Sequence, residues 1–244
     1  MEEQARETIA HNLAVVRQRL AEAARRAGRS PGEITLVAVT KTVPLPSVLI
    51  AYELGLRDFG ENRVQEAAAK IASTRQQATD IRWHMVGHLQ TNKAKAAVEL
   101  FDCIQSVDSL HLAEALDRRA QAAGRRLPVL LEVNVSGEAS KSGFAAAGAG
   151  PAVRREALLP AVERLLALPH LDVQGLMTIA PLTSDQEQAR PYFRALRQLR
   201  DELQRRFPQT NWRHLSMGMT DDFEVAIEEG ATMVRLGRAI FGER

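Results

Sequence analysis

The feature that most constrains this 244-residue chain is a regular alternation of short apolar runs with longer amphipathic stretches. The runs are rich in Val, Ile and Leu and are apolar on both faces, which is typical of parallel strands covered by helices. We predict eight such strands: Thr35–Val39, Arg57–Gly60, Ile81–Gly87, Phe101–Val107, Pro128–Val135, Leu171–Ile179, Trp212–Ser216 and Thr232–Leu236.

Helical stretches separate these strands. They are predicted over 46–54, 62–76, 91–98, 109–123, 153–167, 185–206 and 221–229, with a short turn near 238–242. A further helix over 5–27 comes first, because apolar residues recur there at spacings of three and four. The expected fold is therefore an α/β fold, a single (β/α)8 TIM barrel with an extra N-terminal helix, forming one domain over residues 1–244. An open doubly wound sheet is the alternative.

Composition excludes several classes of protein. The single cysteine, Cys103, excludes an internal disulfide framework and a multi-thiolate metal site. No apolar run approaches the roughly 18 residues of a membrane span, and the acidic, polar N-terminus is unlike a secretory signal. We therefore expect a cytoplasmic protein without membrane contact.

Charge and surface patterning favour a small-molecule partner. The net charge of +2 is spread along the chain with no basic block, so no nucleic-acid partner is expected. His84 and His88 are four residues apart, but the predicted strand and Gly87 separate their faces, so we expect no metal site. No exposed apolar stripe demands an interface, and a monomer is expected.

The first candidate for chemistry is Lys41. In a barrel of this kind the functional site forms at the C-terminal ends of the strands, and Lys41 comes directly after the first strand, in VAVTKTVP. Lysine is scarce in this chain, with five residues in all. Partial burial at the barrel mouth would lower the pKa of the ammonium group and yield the neutral amine that attacks a carbonyl. A lysine that simply reaches solvent at a strand end is the alternative interpretation.

The last two strand ends form a second signal. The segments HLSMGMTDD and VRLGRAIFG bring together glycines, a hydroxyl and two arginines: Ser216, Gly218, Arg235, Gly237 and Arg238. Backbone amides of glycine loops and helix N-termini bind phosphate, and the loops after strands seven and eight are the recurrent phosphate site of this fold. Asp221 and Glu224 are predicted to form a capping box on the next helix. Glycines that merely permit tight turns are the alternative.

Together these fragments resemble the pyridoxal phosphate (PLP) homeostasis protein family, whose members are small barrels similar to the N-terminal domain of alanine racemase. The resemblance runs from about Leu36 to Gly242. It implies that Lys41 holds PLP as an internal aldimine and that Asn62 lies beside the cofactor. It also implies that Ser216, Gly237 and the backbone at Arg238 hold the phosphate, while Arg235 faces the pyridine nitrogen.

The resemblance implies further pocket residues. Met217, Gly218 and Met219 would line the pocket, and Lys141 would be a second lysine near it. His84 and Met177, from the third and sixth predicted strands, complete the cofactor-binding set.

The chain departs from the family pattern at three positions. Val43 stands where many members carry a second lysine, Arg63 replaces a common aromatic residue, and Arg238 stands where many members have a small hydroxyl residue. The last departure removes a side-chain hydroxyl bond to the phosphate, for which a backbone amide or the guanidinium group would substitute.

Catalysis is not expected. A cationic Arg235 beside the pyridine nitrogen disfavours its protonation, which weakens the cofactor as an electron sink. A racemase would also need a tyrosine, yet Tyr52 and Tyr192 fall in predicted helices away from the strand ends. We expect a protein that holds PLP and acts in its homeostasis, with PLP-requiring apoenzymes as candidate partners. The alternatives are a PLP-dependent racemase or lyase of low activity, a sugar-phosphate enzyme without PLP, and an RNA-binding or scaffold protein.

Overall fold

The chain folds into a closed parallel barrel, as described by a computed structural model of residues 2–75, 77–138, 141–145 and 155–242. Its strands are Thr35–Val39 (β1), Asp58–Glu61 (β2), Arg82–Met85 (β3), Cys103–Val107 (β4), Leu127–Asn134 (β5), Phe144–Ala145 (β6), Leu171–Met177 (β7), His214–Ser216 (β8) and Met233–Leu236 (β9). The sheet order is β4-β3-β2-β1-β9-β8-β7-β5, and a β4–β5 pairing closes it. The predicted eight-stranded TIM barrel is confirmed, and the short strand β6 pairs with β5 outside it.

Helices follow the strands as the alternation predicted. They are Glu2–Arg26 (α1), Leu45–Glu53 (α2), Val64–Thr74 (α3), Ala94–Leu100 (α4), Leu110–Ala122 (α5), Arg155–Leu166 (α6), Arg190–Arg206 (α7), Phe223–Glu228 (α8) and Arg238–Phe241 (α9). Two predicted helices begin with a separate 3₁₀ turn, at Thr91–Lys93 and Gln186–Ala189, before α4 and α7. Residues 153–154, at the start of the helix predicted over 153–167, lie outside the described residues.

The extra N-terminal helix is confirmed. Its apolar face buries Ile9, Leu13, Val16 and Leu20, each at most 6% exposed. It packs against α2, α8 and α9 on the outside of the barrel. Burying such side chains contributes about 1.5–3 kcal/mol each, which explains why this helix docks instead of fraying.

Several predicted boundaries were wrong. The strand predicted over Ile81–Gly87 ends at Met85, and Gly87 instead packs on the Asn62 backbone, where a Cβ would lie 2.4 Å from the carbonyl oxygen. The short strand β6 was not predicted, and residues 146–150 after it lie outside the described residues.

The predicted capping box of Asp221 with Glu224 is also wrong. The helix α8 begins at Phe223, two residues after the predicted start, and its N-cap residue is Asp222, whose carboxylate accepts the amide of Met219 at 2.6 Å. A capping box does occur in the chain, between Ser30 and Glu33 ahead of β1.

The barrel interior contains a small apolar cluster of its own. Its members are Val37, Cys103, Leu130, Met177 and Met233, which lie apart from the larger core between the sheet and the helices. Burial raises the pKa of the Cys103 thiol to about 12, so this cysteine is an inert packing residue. Within the described part of the chain, no helix combines the length and apolar character that crossing a membrane requires.

Candidate functional site

A cavity of about 430 Å³ opens at the C-terminal ends of the barrel strands. Half of the twelve predicted site residues line it: Lys41, Asn62, Met219, Arg235, Gly237 and Arg238. The sequence did not identify its apolar walls, which are Val39, Val86, Ile179 and Leu182. The volume lies within the roughly 300–1,000 Å³ range of small-molecule sites. We call this the main cavity.

Lys41 lies on the rim of the main cavity, two residues beyond the end of β1. The expected partial burial is wrong, because the side chain is exposed. Thr42, the next residue, has a φ of 62° and is the only non-glycine residue with positive φ in the described segments. Since a β-branched residue rarely adopts this conformation, the backbone beside Lys41 is strained.

The backbone before Lys41 is supported from behind by a buried ion pair. Glu61, at the end of β2, is fully buried and accepts the Lys70 ammonium at 2.7 Å. Lys70 also donates to the Thr40 carbonyl at 2.5 Å, and the Thr40 hydroxyl donates to Glu61 at 2.7 Å. These bonds tie the end of β1 to β2 and α3, so the chain leaves the barrel at a defined point immediately before Lys41.

Arg235 forms the floor of the main cavity. It is 5% exposed; its Nη1 donates to Ser216 Oγ at 2.7 Å, and its Nη2 donates to the Thr178 carbonyl at 2.8 Å. Burial lowers the pKa of Arg235 to about 10, although the carboxylates of Glu132 and Asp222 act against this shift. The guanidinium is therefore still charged at neutral pH and held in one orientation.

A chain of hydrogen bonds continues from Arg235 through the barrel interior. The Ser216 hydroxyl donates to Gln105 Oε1 at 2.6 Å, and Gln105 Nε2 donates to His84 Nδ1 at 3.0 Å. The other ring nitrogen, His84 Nε2, donates to Asp58 Oδ1 at 2.9 Å. Every donor meets an acceptor only if His84 is neutral with its proton on Nε2. We call this series, from Asp58 to Arg235, the interior chain.

The far end of the interior chain reaches the opposite opening of the barrel. There Arg82 binds the Asp58 carboxylate through two bonds, at 2.8 and 2.5 Å. Burial alone would raise the pKa of Asp58, but the hydrogen bonds from Arg82 and His84 outweigh it and lower the pKa to about 2. Asp58 is thus a permanent anion that orients His84.

Five other predicted site residues lie beneath the main cavity. His84 and Ser216 belong to the interior chain, Met177 to the interior apolar cluster, and Met217 is fully buried. Gly218 has a φ of 94°, and a Cβ there would lie 2.6 Å from the Ala226 methyl group. None of these five residues belongs to the lining of the main cavity.

Lys141, the last predicted residue, lies in a second cavity of about 250 Å³, which we call the side cavity. It shares Asn62, Val86 and Ile179 with the main cavity. The Lys141 ammonium pairs with Glu138 at 3.2 Å and donates to the Ile179 carbonyl at 3.4 Å.

Glu132 was missed by the sequence analysis. It lies in the side-cavity lining and is 7% exposed. Burial, then repulsion from Asp108, raises the pKa of Glu132 to about 7, while Arg235 and His88 act in the opposite direction. The signal that could have found it is the period of two in β5, because Glu132 shares a strand face with Asn134 at the strand end.

The three departures from the family pattern have different consequences. Val43 has an aliphatic side chain, so it supplies no second amine, and it is buried in the core. Arg63 is exposed and pairs with Glu66 at 3.2 Å. Arg238 lines the main cavity and binds Asp221 at 2.5 Å, which keeps its guanidinium at the rim. Among the described residues, no group of three His, Cys, Asp or Glu side chains is placed to bind a metal ion.

This arrangement suits an anionic small molecule with a flat apolar body and a carbonyl group. Three cationic side chains, Lys41, Arg235 and Arg238, line this cavity together with one carboxylate, Asp221. The other lining residues are aliphatic or small and polar: Val39, Val86, Ile179, Leu182, Met219, Gly237, Asn62 and Thr220. The exposed amine supplies a nucleophile, whereas the buried guanidinium supplies a fixed positive charge.

Comparison with known proteins supports one family. The family model "Alanine racemase, N-terminal domain" matches residues 6–244. Two proteins named "Pyridoxal phosphate homeostasis protein" are similar: that of Aquifex aeolicus is 45% identical over 95% of this chain and 96% of its own length, and that of Pseudomonas aeruginosa 43% identical over 97% and 96%. A structure of PipY from Synechococcus elongatus with PLP bound is 38% identical, with a TM-score of 0.82 over 96% of this chain and all of that one.

Proposed function

This chain belongs to the pyridoxal phosphate homeostasis protein family and carries the alanine racemase N-terminal domain, and from that premise we propose that it binds PLP in the main cavity and acts in PLP homeostasis. When bound, PLP supplies an aldehyde that condenses reversibly with a primary amine and releases water. The observation that carries the proposal is that one cavity contains an exposed lysine, a buried arginine and the glycine loop after the last strand.

The residues present fit the cofactor. Lys41 is the amine that bonds to its aldehyde carbon, and Asn62 lies beside it. The backbone at Gly237 and Arg238, with the Arg238 guanidinium, would hold the phosphate in place of the missing hydroxyl. Arg235 would face the ring nitrogen, and Val39 and Val86 give the ring apolar contact.

Ser216 has a different part in this proposal from the one that the resemblance implied. Its hydroxyl is fully buried and already bonded to Gln105 and Arg235. We propose that it orients Arg235 from below, together with His84, and that Met177, Met217, Met219 and Gly218 shape the floor and wall around it.

We further propose that the protein holds PLP without amino-acid catalysis. The cationic Arg235 keeps the ring nitrogen unprotonated, so the ring is a weak electron sink. The tyrosines Tyr52 and Tyr192 lie on the outer helices α2 and α7, and the Tyr52 hydroxyl is engaged with Asp80. A residual racemase or lyase activity is tested by assaying a panel of amino acids with PLP added; turnover above the level of free PLP would contradict this part.

The central experiment is borohydride trapping. Purified protein incubated with PLP should show the absorbance of a lysine-bound cofactor, and reduction should leave a pyridoxyl group on Lys41 that mass spectrometry locates. Lys41→Ala should lose this label while keeping its circular dichroism, whereas the control Lys95→Ala should be labelled like the wild type. A wild-type protein that traps no pyridoxyl group would refute the assignment.

The proposal also covers the domain organisation, oligomeric state, site of action and partners of the protein. Residues 1–244 act as one PLP-binding domain, the protein is a monomer, its site of action is cytoplasmic, and PLP-requiring apoenzymes are its protein partners, with no role for nucleic acid. Sedimentation, cell fractionation and transfer of PLP to an added apoenzyme measure these points. Steeply salt-dependent binding to RNA would contradict the last one.

A further inference from the structure

The side cavity contains a buried carboxylate without a hydrogen-bond partner. Glu132 is 7% exposed and lines this cavity, and no donor in the described residues bonds to it. A buried carboxylate without a donor is costly, since its charge loses hydration and gains no compensating bond. The Glu132 carboxyl group can therefore accept a hydrogen bond from a ligand that binds in the side cavity.

The charged neighbours of Glu132 are already committed to other partners. Both Nη groups of Arg235 already donate hydrogen bonds, one to Ser216 Oγ and one to the Thr178 carbonyl. His88 pairs with Asp108 at 2.9 Å.

The lysine of the side cavity is committed as well. The Lys141 ammonium is bonded to Glu138 and to the Ile179 carbonyl. None of Arg235, His88 and Lys141 gives Glu132 a direct hydrogen bond, so the side cavity offers a carboxyl group without a donor to a cationic ligand.

The position of this carboxylate beside the main cavity suggests which cation it receives. The two cavities share Asn62, Val86 and Ile179, so a ligand in the side cavity adjoins the site proposed for PLP. A primary amine can take an aldehyde from a lysine by exchanging with it on the aldehyde carbon, and its ammonium form must lose a proton before it can attack. A buried carboxylate is a suitable acceptor for that proton.

We propose that the side cavity docks the primary ammonium group of an amine that takes the cofactor from Lys41, with Glu132 as its counter-charge and proton acceptor. The docking stands on the geometry of the side cavity, and the transfer rests on the proposed function. The ammonium gives one proton to the Glu132 carboxylate and becomes a neutral amine. Its nitrogen would replace that of Lys41 on the cofactor carbon. Its two remaining protons and the one held by Glu132 would pass to the departing Lys41 nitrogen, which leaves as an ammonium, so protons balance and no electron is gained or lost.

Docking is tested on the cofactor-free protein. With ¹³C-labelled glutamate, the Glu132 carboxyl resonance is identified by its loss in Glu132→Gln. Ethylammonium chloride should shift this resonance saturably and lower its titration midpoint, whereas tetramethylammonium, which has no N–H donor, should do neither. Identical responses to the two cations would overturn the docking proposal, whatever the outcome for PLP.

Transfer is tested on the PLP-loaded protein. Release of PLP to ethylamine should saturate with amine concentration and rise with pH through about 7, the range set by Glu132 among Asp108, His88, Arg235 and Lys141. Glu132→Gln should slow release about 100-fold, while Glu114→Gln, on the outer helix α5, should release PLP at the wild-type rate. Retained borohydride trapping on Lys41 in both variants shows that PLP binding itself is intact.

The two sources of a primary amine are separated by a second pair of measurements. A free amino acid and a lysine-containing peptide are compared as acceptors at equal amine concentration. Faster saturable release to the amino acid identifies a small metabolite as the ligand, and faster release to the peptide identifies a protein lysine. Unchanged release by Glu132→Gln with both acceptors, together with an unchanged pH profile, would overturn the transfer proposal.

Discussion

The two walls of the main cavity are built in opposite ways. The anchor wall consists of Arg235 on β9, which lines the cavity, and Ser216 on β8, which supports it from behind; both are buried and hydrogen-bonded to each other. The amine wall, formed by Lys41 and Thr42 after β1, is exposed and has a strained backbone at Thr42.

The difference indicates how a barrel can bind a cofactor firmly on one side while its covalent bond on the other side stays reversible. A preorganised wall loses little entropy when a ligand binds, so it can provide affinity and orientation. An exposed amine, by contrast, can form and break its bond with the ligand while the anchor wall stays unchanged. The main cavity thus combines a buried cation of fixed orientation on one side with an exposed amine on the other.

The largest effect is expected when the buried ion pair that supports the amine wall is removed. Lys70→Met leaves the fully buried Glu61 without its cation, and we expect a loss of about 3–5 kcal/mol in the free energy of unfolding. Urea denaturation measures it. The double variant Lys70→Met/Glu61→Gln should recover much of the loss, because no buried charge remains. A loss below about 1 kcal/mol in the single variant would show that the pair does not hold the wall.

A smaller effect is expected at the far end of the interior chain, which supports the anchor wall. The pKa of Asp58 falls from 3.8 to about 2 on folding, so the unfolded chain binds more protons between these values. The resulting stability, about 2 kcal/mol, is fully present above pH 4 and is lost as the pH falls through about 2.

Acid denaturation of Asp58→Asn measures this contribution. The variant should be less stable at neutral pH and should lack the part of the pH dependence between 4 and 2 that Asp58 supplies. The control Asp201→Asn, which changes an exposed pair with Arg200, should keep it. If the free energy of unfolding of Asp58→Asn varied with pH between 4 and 2 as in the wild type, the interior chain would not stabilise the anchor wall.

The smallest effect is expected at Thr42. Thr42→Gly relieves the left-handed strain of about 1 kcal/mol, but glycine gains a similar amount of entropy in the unfolded chain, so the free energy of unfolding should change by less than about 1 kcal/mol. The affinity for PLP should fall a few-fold, because the segment carrying Lys41 becomes less ordered. Thr42→Asn, which tolerates this conformation, should retain wild-type affinity. Equal affinities in both variants would show that the strain has no role at the amine wall.

Much of this architecture could be predicted from local patterns. The period of the apolar residues indicated the eight strands and the N-terminal helix, and the strand ends VAVTK and VRLGR directed attention to Lys41, Arg235 and Arg238. The weakest predictions were those that depend on burial, since Lys41 is exposed and Ser216 is enclosed. A strand-end position indicates the rim of a barrel but does not indicate which side chains turn inward beneath it.

The order of apolar and polar residues along the chain by itself determined a closed barrel with a lysine and an arginine near one rim, because strand and helix periods are local properties. Only the tertiary structure decided that Gln105 meets Ser216, 111 residues away in sequence, and that Glu132 adjoins the main cavity. Closure between β4 and β5 sets these neighbours. Such contacts depend on register and on the rotation of each strand about its axis, which no short segment encodes.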